Sequence, residues 1–173
     1  MQQFLRTFLD IVLWRRGPQD LPDSALLVWL TVLAYVATGA LQLALLGGGT
    51  DALWLLYLIG DPLLLATWVW LMLALYRRTA RVRQTLAAVF GTGALLGLTF
   101  YLPVQVLVVS SGLQESSTLV GLVVLGLVVV FGLVTGRIIK LATESSLVTG
   151  IGSALCYFLV VNWLFERAQG SGG

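Results

Sequence analysis

Long apolar runs separated by short polar breaks are the dominant pattern along this chain. An apolar run of 18 or more residues marks a membrane-spanning helix, and five runs qualify: about 25–46, 52–76, 84–109, 118–136 and 147–165. The breaks between them read as a flexible turn (GGGTD), a basic loop (RRTARVR), a polar loop (SSGLQESS) and a short segment, RIIKLATESS, free to extend either flanking helix. The pattern predicts an all-α polytopic membrane protein with five transmembrane helices. Residues 1–24 form an amphipathic helix and a Pro-containing connector, residues 25–167 the transmembrane domain, and residues 168–173 a flexible tail whose GSGG end is of linker type.

The first run behaves differently. Over residues 2–14, Gln3, Arg6, Thr7 and Asp10 recur on one helical strip, while Phe4, Leu5, Phe8, Leu9, Ile11 and Val12 form the other face. A short helix of this kind is too polar to span and is expected to lie in the membrane interface. Two prolines stiffen the following GPQDLPDS connector, and Asp23 or Ser24 is placed to cap the first span.

Composition agrees with the pattern. Of 173 residues, 58% are apolar and 10% charged, against about 25% charged in soluble domains. The net charge of +2 gives no reason to expect nucleic acid, and the absence of His together with a single Cys leaves no Cys/His zinc site. No cofactor or metal is expected. No His base, nucleophile elbow, phosphate loop or facing carboxylate pair is present, so the chain reads as non-enzymatic.

Charge sets the expected orientation. Basic residues mark cytoplasmic loops, and here they alternate: Arg6, Arg15 and Arg16 before the first span, Arg77, Arg78, Arg81 and Arg83 after the second, Arg137 and Lys140 after the fourth. Five spans with a cytoplasmic N-terminus place nine of the ten basic residues inside. The C-terminus then lies across the membrane, in the periplasm if the membrane is a bacterial inner membrane. Arg15, Arg16 and the second-loop arginines are also candidates for anionic lipid contact, at about 1 kcal/mol per basic residue near the surface.

Helices in lipid associate through close approach at small residues. Gly93 and Gly97 in span 3, and Gly132 and Gly136 in span 4, are spaced at i, i+4 and form candidate packing or partner faces. The partners expected are lipid and either another membrane protein or a second copy.

Polar residues inside spans are functional candidates by default. Asp61, Gln42, Gln105 and Asn162 qualify, and only Asp61 is ionisable, which makes it the candidate proton relay. Its setting, Gly60-Asp61-Pro62, carries a second reading: Asp is a good N-cap and Pro favours the first helical position. Fifteen residue steps from Pro62 to Arg77 span about 22 Å of helix, which places Asp61 in the outer leaflet. On this reading, favoured from the residues, GDP is a helix boundary or kink, and residues 52–60 tilt or lie in the outer interface with Trp54 and Tyr57 as anchors. Pro103 and Gln105 kink span 3 at similar depth, so a small outer-leaflet cavity between the two bent helices is a further expectation.

The lead-in RRGPQDLPDS and the span-3 entry RVRQTLAAVFGTGALLG, together with the order of spans from Phe4 to Phe165, resemble the Yip (Ypt-interacting-protein) family of five-span membrane proteins. The resemblance implies a cytoplasmic N-terminal segment, a C-terminus on the far side, and a non-enzymatic scaffold or trafficking adaptor; it carries over no functional residue. The leading expectation is a membrane scaffold or accessory subunit that binds partners through its glycine-rich faces or the amphipathic helix. The alternative is a small transporter or channel component using Asp61.

Overall fold

A computed structural model describes residues 2–45, 52–111 and 118–170. The GGGTD turn, most of the SSGLQESS loop and the end of the tail lie outside the described residues. Among the described residues there are seven α-helices: α1 (Gln2–Val12), α2 (Ala25–Leu45), α3 (Ala52–Leu75), α4 (Val82–Leu96), α5 (Leu102–Ser111), α6 (Thr118–Thr143) and α7 (Leu147–Gly170). A π-turn over Gly97–Tyr101 joins α4 and α5 into one span. Five helical units are long and apolar enough to cross a membrane, and no strand occurs among the described residues.

The small residues of TLAAVFGTGALLG explain why α4 is the central helix. Thr85, Ala87, Ala88, Phe90, Thr92 and Ala94 are all nearly inaccessible, and α2, α3, α6 and α1 all pack against α4. Buried hydroxyls of α2, α4 and α6 are satisfied locally: Thr31, Thr38, Thr85, Thr92 and Thr143 each donate to the carbonyl four residues back, so these groups need no partner from another helix. Glycines then set the closest contacts. A Cβ on Gly136 would lie 2.8 Å from the Ile151 Cα, and one on Gly150 would strike the Gly136 carbonyl oxygen. The α6–α7 pair is thus held backbone to backbone, as small-residue crossings in membranes are. The sequence left the RIIKLATESS segment open; it continues α6 to Thr143, and the turn is only Glu144–Ser146.

The amphipathic helix α1 packs part of its apolar face on the protein. Phe8 and Ile11 are buried in the core, with the Phe8 ring against Gly91. The connector is fixed as well: Asp20 accepts from the Gly17 amide at 2.9 Å, Gln84 donates to the Leu21 carbonyl at 2.9 Å, and the Ser24 hydroxyl caps α2 at the Leu27 amide. Leu9 and Leu13 stay exposed on the outer side of this end, where lipid would cover them.

Basic residues gather at the same end. Arg78 and Arg81 both pair with Glu144, Arg16 with Asp10 and Arg83 with Asp23. Arg137 donates to the Trp14 carbonyl and lies 5.0 Å from that ring. Of the residues singled out for anionic lipid, Arg15 and Arg77 are exposed and form no ion pair among the described residues. The other four are shared with carboxylates, in exposed pairs that each contribute about 0–1 kcal/mol.

Candidate functional site

The helix boundary expected at Gly60-Asp61-Pro62 is absent. Helix α3 runs unbroken from Ala52 to Leu75 with Pro62 inside it. Pro62 offers no N–H to the Leu58 carbonyl, yet the surrounding bundle holds the helix through this point. Asp61 therefore caps nothing. Its carboxyl instead points across to two other helices: the Tyr35 hydroxyl of α2 donates to Oδ2 at 2.7 Å, and the Tyr157 hydroxyl of α7 donates to Oδ1 at 2.8 Å. Tyr157 also reaches the Asp61 carbonyl at 3.2 Å. One acid ties three spans together.

Each tyrosine is held in place by its neighbours. The Tyr35 ring meets Phe90 edge-on at 5.3 Å and covers Gly93, where a Cβ would sit 2.8 Å from the ring. Gly93 is thus the space that admits Tyr35. The Tyr157 ring packs beside Trp68 at 6.1 Å, and the Trp68 indole donates to the Ser153 hydroxyl at 3.0 Å, a second tie between α3 and α7. Tyr57, expected as an interfacial anchor, stacks on Phe165 at 3.8 Å; the side chain of Trp54 lies outside those described.

These groups face a cavity of about 500 Å³, within the 300–1,000 Å³ range typical of small-molecule sites. It lies from mid-bundle toward the end opposite the arginines, walled by α2, α3, α4 with the π-turn, α6 and α7. Three of the four intramembrane polar candidates line it: Asp61, Gln42 and Asn162. Gln105 does not; it is half-buried on α5. Asn162 donates to the Phe158 carbonyl of its own helix at 3.1 Å, which leaves its amide oxygen available to the cavity.

The π-turn shapes one wall. Pro103 cannot supply a ladder N–H, and a π-turn just before it absorbs the disruption. There Gly97 brings the backbone close to Thr38 and Gln42: a Cβ would sit 2.8 Å from Thr38 Cγ2 and 3.0 Å from Gln42 Nε2.

The four candidate glycines divide. Gly93 and Gly97 admit side chains of α2, and Gly136 seats α7, so all three pack within the chain. Among the described residues, Gly132 has nothing within 4 Å of its Cβ position and faces the cavity, whereas Gly121 and Gly126 are equally open on the exposed N-terminal half of α6. The tyrosines were missed from sequence because each sits in an apolar run as an unremarkable aromatic; only the juxtaposition of three helices gives them a role. Among the described residues no group of three or more His, Cys, Asp or Glu is placed to hold a metal.

The fold and the site define a helical membrane protein with five span-length helical units, among the described residues, around a mostly apolar cavity that carries Asp61 at one side. No family model, no curated protein and no solved structure matches this chain.

Proposed function

We propose that this protein is a small membrane carrier that takes a largely apolar solute with one polar group into the bundle at Asp61. The observation that carries the reading is the cavity itself: about 500 Å³ of space, apolar along most of its wall, with the Asp61 carboxyl held at one side by Tyr35 and Tyr157. A site of this kind, concave and apolar with a few placed polar groups, is what small-molecule recognition uses. Intramembrane acids in bundle interiors commonly mark substrate or ion paths.

In this reading the arginine-rich end with α1 faces the cytoplasm, following the bias of basic residues toward that side, and the cavity lies toward the opposite leaflet of a bacterial inner membrane. The scaffold reading draws less support. Gly93, Gly97 and Gly136 are occupied within the chain, and the apolar face of α1 at Phe8 and Ile11 is already covered. The open Gly121–Gly126 stretch of α6, the open Gly152 of α7 and the exposed Leu9 and Leu13 of α1 are surfaces left to it.

Liposomes containing the purified chain alone provide the test. Uptake of a panel of small aromatic solutes should include at least one that saturates and that slows by about tenfold or more on Asp61→Asn, the scale of losing one buried charge contact. Uptake equal to that of empty liposomes for every solute would defeat the carrier reading.

A further inference from the structure

We infer that the solute recognised in this cavity is a lipophilic monocation, an amine or quaternary ammonium carrying apolar substituents. The inference deepens the carrier reading and rests on it, through three features of the wall. The first is charge. Among the described residues, Asp61 is the sole Asp, Glu, Lys or Arg lining the cavity, and none of the ion pairs found among them involves it. Each of its oxygens receives one tyrosine hydroxyl, the arrangement that suits an acceptor-only carboxylate and still leaves lone pairs open. A buried charge is stable when it is both hydrogen-bonded and paired. The protein supplies the hydrogen bonds, and the counter-charge is left to the solute.

The second feature is aromatic. Tyr35, Tyr57, Phe131, Tyr157, Phe158 and Phe165 all contribute to the wall. Ring faces attract cations through their quadrupole, most strongly where water is excluded. Aromatic rings lining the same cavity as one carboxylate favour a soft, poorly hydrated cation over a metal ion, which needs several oxygen ligands. The third is size. About 500 Å³ is far more than a bare ion requires and suits an organic molecule with an apolar body.

The test is a binding comparison on the purified chain in uncharged detergent micelles, by isothermal titration calorimetry. The probes are benzyltriethylammonium and its neutral isostere with carbon in place of nitrogen, which have the same shape and differ in charge. Wild-type protein should bind the cation at least about tenfold more tightly than the isostere, and Asp61→Asn should reduce that preference to less than about threefold. Equal affinity for both probes would overturn the monocation assignment while leaving the cavity as a solute site. Binding of neither would overturn the assignment and the carrier reading together. A preference that survives intact in Asp61→Asn would also overturn the assignment, since the charge would then be read elsewhere. The wild-type comparison decides the sign of the ligand even if the variant fails to fold.

Discussion

Gly150→Leu should be among the most damaging single substitutions in the chain. A side chain at Gly150 begins by colliding with the Gly136 carbonyl oxygen, and the next atoms in its way are the Gly136 carbonyl carbon at 3.0 Å and Lys140 Cβ at 3.1 Å. The first two are backbone of a continuous helix and cannot rotate aside. The α6–α7 pair must separate, and overpacking of this kind costs about 3 kcal/mol. The consequence reaches the cavity, because Tyr157 lies two turns further along α7 and its hydroxyl meets Asp61. Gly152→Leu is the matched control: nothing lies within 4 Å of its Cβ position, so the change should fall within about 0.5 kcal/mol of wild type. Titration of the folded fraction in detergent with SDS, followed by near-ultraviolet circular dichroism, separates the two. Equal stability of the two variants would show that the helices do not cross at Gly136 and Gly150.

Asp61→Ala should destabilise the bundle by about 2 kcal/mol, counting two lost interhelical bonds and the Tyr35 hydroxyl left without its acceptor. The Tyr35 and Tyr157 hydroxyls have no helix carbonyl to fall back on in the way the buried threonines do, apart from the Asp61 carbonyl that Tyr157 also reaches. Asp61→Asn keeps the shape, with an oxygen to accept from one tyrosine and an amide to donate to the other, so its loss should stay below about 1 kcal/mol. The same SDS titration ranks the variants. An alanine variant as stable as wild type would mean that Asp61 does not tie α2 and α7 to α3.

Much of the fold was legible because bilayer thickness and hydropathy constrain span number strongly. The five runs became five span-length helical units. Gly93, Gly97 and Gly136 were legible as packing sites, though not which helix each would admit: Gly93 receives a tyrosine ring, Gly136 receives the backbone of α7, and Gly132 faces the cavity instead. The GDP motif misled because local capping chemistry favours a boundary there, whereas packing of Leu65, Val69 and Leu73 into the core holds α3 in line through the proline. For α1 the hydrophobic face was plain, but a periodicity cannot say whether lipid or Gly91 will cover it.

Within the candidate site, Asp61, Gln42 and Asn162 stood out as polar residues in apolar runs. Tyr35 and Tyr157 did not, since an aromatic residue in a span is ordinary and their pairing is separated by 122 positions (157 − 35). Only the crossing of α2, α3 and α7 places both hydroxyls at one carboxyl.

A phenylalanine at Gly132 should close the space at Asp61 to small molecules. A phenylalanine there enters open space beside the cavity, whereas one at Gly126 enters open space on the exposed face of α6. Wild type, Gly132→Phe and Gly126→Phe would each be labelled in detergent with a photoreactive phenyldiazirine and mapped by peptide mass spectrometry. Labelling of Tyr35, Tyr57 and Tyr157 should appear in wild type and Gly126→Phe and be lost in Gly132→Phe, with Leu26 and Trp29, exposed at 68% and 67%, labelled equally in all three. Cavity labelling that persists in a folded Gly132→Phe protein, or that falls equally in both variants, would contradict the account.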